Sequence, residues 1–262
     1  MFNIDRYAYS NRLRSAHPAE KFAFALCTII ICLAASSVTT SLVIVLLMAG
    51  AVVLRAGIPG RFYLKLMSLP ASFLVIGVVT VAVSVSWNPL PALHGFKIWG
   101  VTVGVTAREL GMAAQLFFKS LGAVSCLYFL SLTTPMTEII AVLKKLRVPS
   151  LFIELMGLIY RFIFVLMETA DKIHTTQSSR CGYASLKNSY ASLGQLVSNL
   201  FVKSYHRSRL LFVALESRCY TGELDVIELP YTVSPANIMI IVLIDLALVA
   251  LALYTGGGGF FG

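Results

Sequence analysis

The sequence predicts an all-α integral membrane protein with about five transmembrane helices and a cytoplasmic module of one short and two long helices. Hydrophobic residues make up 58% of the chain and charged residues only 13%, which is about half the charged share of a soluble domain. Several apolar runs approach or reach the roughly 20 residues that a membrane-spanning helix needs. Between residues 133 and 235, apolar residues instead recur at helical spacing among many basic ones, which indicates amphipathic helices.

These patterns divide the chain into a membrane domain of four spans (1–132), the cytoplasmic module (133–235), and a last transmembrane helix with a tail (236–262). The apolar run 22–54 is too long for one span and slightly short for two, and its Ser/Thr cluster predicts a hairpin of two short spans. A loop with tryptophan at each end, 87–99, is expected at the membrane–water interface. The spans are placed at residues 22–35, 38–54, 66–85, 111–132 and 236–254.

The distribution of lysine and arginine predicts the orientation. With these spans, one side receives the N-terminal lead, the 55–65 loop and the module, which hold four, three and eleven Lys/Arg residues. The other side receives only Lys97 and Arg108. Because positive loops stay in the cytoplasm, the N-terminus and the module are expected there, in a multi-pass protein of the cell inner (plasma) membrane. The polar lead has no cleavage site, so the first span is expected to remain in the mature protein.

The module is expected to hold a short amphipathic helix at 137–147 and two long helices, at about 151–179 and 189–218. Residues 151–167 are apolar enough for a sixth span. That alternative would move one of two basic clusters to the outer side and would bury Glu154 and Arg161 in lipid. We therefore favour a long helix that leaves the membrane edge, and keep the sixth span as the alternative.

Motifs of catalysis and metal binding are absent from the sequence. It contains no H-E-x-x-H, G-x-S-x-G or P-loop motif, its four histidines are isolated, and its five cysteines lack metal-ligand spacing. The sequence therefore predicts no catalytic residue, no metal ligand and no cofactor in this chain, which is not an enzyme by this interpretation. Any ATP hydrolysis would belong to a partner.

A short repeat is the strongest candidate for a functional site. Ser179-Arg180-Cys181 and Ser217-Arg218-Cys219 both stand where a long basic helix is predicted to end, shortly before a glycine. One reading is structural, because arginine near a helix C-terminus interacts favourably with the helix dipole and glycine commonly caps the end. The repetition favours a functional reading, in which each guanidinium docks into an acidic groove of a partner.

Two further sets of charged residues are weaker candidates. The basic cluster Lys203, Arg207 and Arg209 is usually read as a solvated or lipid-headgroup surface, with a partner contact as the alternative. Lys119 and Asp245 lie within predicted spans and could form an ion pair with each other or serve a function in the membrane.

Several short sequences resemble those of a known family. They stand at 5–10 (Asp-Arg-Tyr-Ala-Tyr-Ser), 17–21 (His-Pro-Ala-Glu-Lys), 129–136, 158–166 and 216–224. Over most of its length the chain resembles the transmembrane T-component of energy-coupling factor (ECF) transporters, and within it the CbiQ type of cobalt transporters. The family carries two X-Arg-X signatures, often Ala-Arg-Gly, at the ends of cytoplasmic coupling helices. They map onto Ser179-Arg180-Cys181 and Ser217-Arg218-Cys219, where the flanking residues differ but both arginines are kept.

The resemblance implies the partners. Each arginine would dock into one of two ATP-binding-cassette ATPase subunits, and the chain would carry their closure to a substrate-binding membrane S-component of CbiM type. A small accessory membrane subunit is compatible with the same complex, and nucleic acid is not a partner. Metal would be bound by the S-component and not by this chain.

Other functions remain open at this point. Nickel or a vitamin would use a similar T-component. A stand-alone carrier would need polar or discontinuous spans around a midplane site, for which only Lys119 and Asp245 are candidates. A membrane enzyme would need a clustered acid, base or metal set, which cannot be assembled from this sequence.

Overall fold

The computed structural model describes residues 3–35, 37–82, 84–86, 94–98, 101–105, 107–220 and 234–255. The chain forms two compact units, which we call the membrane unit (residues 1–139 and 230–262) and the second unit (residues 140–229). Each is described by itself below. The predicted linker at 223–231 and the predicted tail at 255–262 lie almost entirely outside the described residues.

The described residues form helices and one small sheet. In chain order these are α1 (Asn3–Ser10), a 3-10 turn (Arg12–Ser15), α2 (Pro18–Ala34), α3 (Val38–Gly50) with a π-helical turn (Ala51–Arg55), α4 (Gly60–Ala82), β1 (Ser84–Ser86), β2 (His94–Ile98), β3 (Val101–Val105), α5 (Ala107–Thr133), α6 (Met136–Lys145), α7 (Ser150–Ser179), α8 (Leu186–Glu216) and α9 (Pro235–Thr255). The helical content agrees with the predicted all-α class.

The core of the membrane unit surrounds α5, which packs against α1, α2, α3 and α4. Ile44, Met48, Cys126 and Leu132 are fully buried there. Gly122 of α5 lies at the closest approach, because a Cβ at this position would stand 2.7 Å from the Cys32 Sγ of α2. A helix with a side chain at residue 122 could not approach α2 this closely without displacing that sulfur.

The first apolar run forms two helices that are separated at the predicted Ser/Thr cluster. The helix α2 ends at Ala34 and α3 begins at Val38. The Ser37 side chain accepts a hydrogen bond from the Thr39 amide at 3.3 Å, which caps the start of α3. Serine and threonine are preferred at such caps, so the polar cluster separates two helices instead of interrupting one.

Five helices in the described ranges are long and apolar enough to cross a membrane: Val38–Arg55, Gly60–Val81, Glu109–Thr133, Ser150–Ser179 and Pro235–Thr255. Four of them overlap predicted spans. The remaining predicted span corresponds to α2, whose 17 residues give a length of about 25 Å, at the lower limit for a span. Because α2 packs against α5 and α9, it belongs to the same bundle. The one candidate that overlaps no predicted span is Ser150–Ser179, which is α7. It has the length and composition that the sixth-span alternative requires.

The small sheet differs from the sequence interpretation. The strands β1, β3 and β2 lie side by side in that order and pair antiparallel. The first strand occupies the end of the predicted span 66–85, and β2 lies within the predicted interfacial loop. Alternating Val and Ser at 83–86 and alternating Val at 101–105 follow the period of a strand, and helix α4 ends at Ala82, just before the first of these stretches.

The second unit consists of the end of α6 together with α7 and α8. The two long helices run in opposite directions, because residues late in α7 contact the second turn of α8, and Glu154 near the start of α7 bonds Tyr220 after α8. Their observed bounds agree with the predicted helices to within three residues at each end. The predicted short helix at 137–147 is observed as Met136–Lys145.

Candidate functional site

The two copies of Ser-Arg-Cys occupy equivalent places at the ends of α7 and α8. Ser179 is the last residue of α7, and Ser217 directly follows the last residue of α8. All six residues of the two copies are exposed: Ser179, Arg180, Cys181, Ser217, Arg218 and Cys219. We call residues 177–182 the first tip and residues 215–220 the second tip.

Both tips have the same backbone geometry, the Schellman motif. In the first tip the Gly182 amide donates to the Gln177 carbonyl at 2.8 Å, and the Cys181 amide to the Ser178 carbonyl at 3.1 Å. Cys181 has a φ of 55°, in the left-handed region. The backbone therefore turns sharply directly after Arg180.

The second tip repeats each of these features. The Tyr220 amide donates to the Leu215 carbonyl at 3.1 Å, and the Cys219 amide to the Glu216 carbonyl at 3.0 Å. Cys219 has a φ of 57°. The short sequence repeat is thus a structural repeat, in which each arginine is the last residue before the left-handed turn.

The cap residue differs from the one that the sequence suggested. Glycine usually occupies the left-handed position, and both tips have a nearby glycine in the sequence. The structure instead places Cys181 and Cys219 there. The X-Arg-X signature of the resembling family is often Ala-Arg-Gly, with glycine at this position, so the departure to cysteine falls on the strained residue.

Cys181→Gly and Cys219→Gly are each expected to stabilise the chain by about 1 kcal/mol, because glycine adopts positive φ without a Cβ clash. Val at either position should destabilise it by about 1–2 kcal/mol. Thermal unfolding of the purified protein in detergent measures both changes. Cys27→Gly is the matched control, since exposed Cys27 lies inside α2 and glycine there should destabilise the chain. Stabilisation at residue 27 as well would contradict the cap explanation.

Side-chain hydrogen bonds hold the first tip against the start of α8. Gln177 Nε2 donates to the Ser192 carbonyl at 2.9 Å, and Ser192 Oγ donates to the Gly182 carbonyl at 2.8 Å. The Tyr183 hydroxyl donates to Gln177 Oε1 at 2.8 Å, and its ring stacks on His174 with centroids 4.7 Å apart. Ser192 is buried, whereas Arg180 beside it is exposed. The arginine therefore projects from a fixed base.

The second tip is held differently. The Tyr220 hydroxyl donates a short hydrogen bond to Glu154 Oε2, near the start of α7. Tyr220 donates the longer-range backbone bond of the Schellman motif, so this contact fixes the residue that closes the second turn. Sequence analysis did not assign this role to Glu154. Nothing in the spacing of residues 154 and 220 could have indicated it.

The two arginines lie at opposite ends of α8. The first tip directly precedes this helix and the second directly follows it. A helix of 31 residues is about 45 Å long. A single pocket cannot receive both guanidinium groups at that separation.

The basic cluster Lys203, Arg207 and Arg209 lies on α8 between the two tips, and all three side chains are exposed. Exposure alone does not distinguish a solvated surface from a partner contact for any of the three.

A third helix end in the second unit has the same geometry and was not singled out from the sequence. The Val148 amide donates to the Leu143 carbonyl at 3.3 Å, and Arg147 has a φ of 60°. Here the arginine occupies the left-handed position itself instead of preceding it. The run of basic residues before Pro149 could have indicated a helix end, but not this turn.

The suggested ion pair between Lys119 and Asp245 is not formed. Asp245 Oδ1 instead accepts a hydrogen bond from the Thr28 hydroxyl at 3.2 Å, and Thr28 is fully buried. This bond joins α2 to α9 and gives Asp245 a structural partner. A neutral hydroxyl can satisfy a half-buried carboxyl group without a buried cation.

No group of three or more His, Cys, Asp or Glu residues in the described ranges could hold a metal ion. The described histidines have other contacts. His17 Nδ1 accepts a hydrogen bond from the Ala19 amide at 3.1 Å and caps α2, and His174 stacks on Tyr183. The described arrangement is therefore one of exposed cations at helix ends.

Comparison with protein families gives one match over most of the chain. The model of the CbiQ family, described as a cobalt transport protein, matches residues 10–227. This range contains both tips, the basic cluster and four of the five predicted spans.

Three curated proteins show the range of similarity. The cobalt transport protein CbiQ of Salmonella typhimurium is 30% identical over 223 residues, 85% of this chain and 99% of the relative. A protein of Methanocorpusculum labreanum described as a fused cobalt transport protein, CbiMQ, is 32% identical over 240 residues, 92% of this chain and 40% of the relative. The energy-coupling factor transporter transmembrane protein EcfT of Ruminiclostridium cellulolyticum is 30% identical over 184 residues, 65% of each chain.

Proposed function

The chain belongs to the CbiQ family of cobalt transport proteins, and we propose that it is the transmembrane coupling subunit of an ATP-driven importer of cobalt. In this role it transmits conformational change from two cassette ATPases to a separate membrane subunit that binds the metal. The relatives named CbiQ and EcfT support this class of function.

The pair of matching tips carries the proposal. Two exposed arginines with the same cap geometry at the two ends of one helix suit two partners with similar binding sites. The guanidinium fork bonds carboxylates bidentately, and arginine is enriched among residues that dominate binding energy. The expected site on each ATPase is a groove lined by acidic side chains.

The geometry also suggests how motion is passed on. When the ATPases close, Arg180 and Arg218 would be drawn by two different partners, at opposite ends of α8. The hydrogen bonds at Gln177 and Ser192 join α7 to α8 at the first tip, and the bond from Tyr220 to Glu154 joins them at the second. Displacement of either tip would then move both long helices. Such coupling requires different contacts in the two states of the ATPases.

Cobalt binding belongs, in this proposal, to an S-component of CbiM type. The fused relative CbiMQ supports close association of the two kinds of chain. The N-terminus and the second unit would be cytoplasmic in the inner (plasma) membrane, as the distribution of positive charge predicts. The first half of α7 carries exposed apolar residues and the second half is polar, which suits a helix that leaves the membrane edge.

The test is co-expression with affinity-tagged cassette ATPases of a cobalt transporter. Capture of the wild-type chain is expected, with weaker capture of Arg180→Ala and of Arg218→Ala. Lys187→Ala is the control, because this exposed cation lies close to the first tip but outside the repeat.

Each outcome has a definite meaning. Capture that does not depend on either arginine would contradict the docking role of the tips and direct attention to Lys203, Arg207 and Arg209. Failure to capture the wild-type chain would contradict the coupling function itself. Uptake of metal by the purified chain without ATPases would favour a carrier.

A further inference from the structure

Two consecutive residues in the first turn of α2, Glu20 and Lys21, contact the parts of the membrane unit that precede and follow the second unit along the chain. The chain leaves the membrane unit after Ile139 and returns to it at Pro230. Lys21 contacts α6, the helix that continues into the second unit. Glu20 contacts the residue that precedes α9. Every contact described here is formed within the membrane unit.

Lys21 holds the exit of the chain. Its ammonium donates to the Thr133 carbonyl at 3.2 Å and lies 3.5 Å from Glu138 Oε2. Thr133 ends α5 and Glu138 lies in the first turn of α6. The side chains of the ion pair are only 4% and 9% exposed, so water cannot replace their contact. A single cation therefore fixes two successive helices, one of which continues into the second unit.

A second side chain supports the same connection. Asn11 Nδ2 donates to the Leu132 carbonyl at 3.3 Å and to the Thr133 carbonyl at 3.2 Å. These are carbonyl groups at the C-terminus of α5, where a helix leaves its last carbonyls without partners. The connection at Thr133 and Thr134 is almost completely buried.

Glu20 holds the return of the chain. Its Oε1 accepts from the Ser234 amide at 3.1 Å, and its Oε2 accepts from Asn237 Nδ2 at 3.4 Å. Ser234 directly precedes α9, so the carboxylate lies at the N-terminus of that helix, where negative charge is favoured. The start of α6 and the start of α9 are thus both attached to the first turn of α2.

The chemistry of Lys21 indicates more than a contribution to stability. A buried ion pair often adds no more stability than an apolar pair of the same size, and its best-attested use is to fix one arrangement of neighbouring elements. The arrangement fixed here is that of the first turn of α6 against the end of α5.

We propose that Glu20 and Lys21 are positioning residues through which displacement of the second unit reaches the membrane helices. The inference rests on the proposed coupling function. With both connections held to α2, movement of the ATPase-bound helices is passed to the bundle. If the contact of Lys21 with α6 or the contact of Glu20 with the start of α9 is lost, the same movement does not reach the membrane helices.

The experiment reconstitutes the full complex with cassette ATPases and the metal-binding membrane subunit in vesicles. Cobalt uptake and ATP hydrolysis are measured together for wild type, Glu138→Gln, Lys21→Met and Glu20→Gln. Uptake per ATP hydrolysed is expected to fall roughly tenfold in each variant, whereas ATPase capture is retained. Glu168→Gln is the matched control, since it breaks an exposed pair with Lys172, and it should leave uptake per ATP unchanged.

A second variant separates positioning from folding. Lys21→Met combined with Glu138→Met replaces the pair by apolar side chains, so it should fold and still be uncoupled. Lys21→Arg should retain coupling. Unchanged uptake per ATP in the folded variants overturns the inference, as does a parallel loss of uptake and hydrolysis.

Failure of the proposed function would look different. In that case even the wild-type chain would not capture ATPases or support uptake. Amide hydrogen exchange of the purified chain then tests the attachment alone. Faster exchange is expected in the first turn of α6 for Lys21→Met and of α9 for Glu20→Gln, and unchanged exchange at both overturns it.

Discussion

A chain with both Arg180→Ala and Arg218→Ala is expected to lose cassette ATPase binding and cobalt uptake together. Arginine truncation at the centre of an interface commonly weakens binding by about 2 kcal/mol. The two tips lie about 45 Å apart along α8, so their effects should add. For a preformed pair of ATPases that binds both tips as one unit, the combined loss of about 4 kcal/mol corresponds to a dissociation constant on the order of a thousandfold weaker.

Titration of the detergent-solubilised chain with labelled ATPases measures this loss, and metal uptake in cells gives the second readout. Arg180→Lys combined with Arg218→Lys should restore little, because lysine lacks the planar fork that binds carboxylates bidentately. Triple substitution of Lys203, Arg207 and Arg209 by alanine should have a smaller effect. Wild-type affinity and uptake in the double alanine variant would show that the tips do not bind the ATPases.

Gly182→Val is expected to disrupt the first tip as a whole. A Cβ at residue 182 would lie 2.7 Å from Ser192 Oγ and 2.8 Å from the Gln177 carbonyl oxygen. The carbonyl belongs to the backbone of α7, so it cannot swing aside, and the larger side chain must open the turn. We expect destabilisation by about 2–3 kcal/mol and ATPase binding no stronger than that of Arg180→Ala.

The obvious control lies nearby on α8. No atom would be met within 4 Å by a Cβ at Gly194, so Gly194→Ala should be neutral or stabilising by up to about 1 kcal/mol. Adding Ser192→Ala to Gly182→Val removes one clash but leaves the backbone contact, so rescue is not expected. Thermal unfolding and ATPase binding measure both variants. A stable and fully binding Gly182→Val chain would show that the turn tolerates a wider geometry than described.

Local signals in the sequence were sufficient for most of the helices. Long apolar runs and helical spacing located α3, α5, α7, α8 and α9 to within a few residues. The strands were missed because residues 83–86 follow directly on an apolar helix, and hydropathy cannot distinguish the last turn of a span from a strand. The π-helical turn at 51–55 has no sequence signal that we can identify.

The sequence was sufficient to locate the two arginines of the candidate site, but not the side-chain contacts that hold the surrounding helices in place. The repeated Ser-Arg-Cys located both exposed arginines, because helix ends have short and recognisable sequence patterns. The contacts of Tyr220 with Glu154 and of Lys21 with Glu138 join residues 66 and 117 positions apart. A single sequence does not reveal such pairs, since they depend on how distant helices pack. The cysteines at positive φ were also missed, because glycine is the residue expected there.

The shared geometry of the two tips has a consequence for what can stand opposite them. A single chain has no two-fold axis, yet its two tips have the same backbone turn and the same arginine charge. Two copies of one protein related by a two-fold axis present the same binding site twice. If the proposed function holds, one asymmetric chain would therefore bind a symmetric pair of identical ATPase subunits, with one tip in each, and a second kind of ATPase would not be needed.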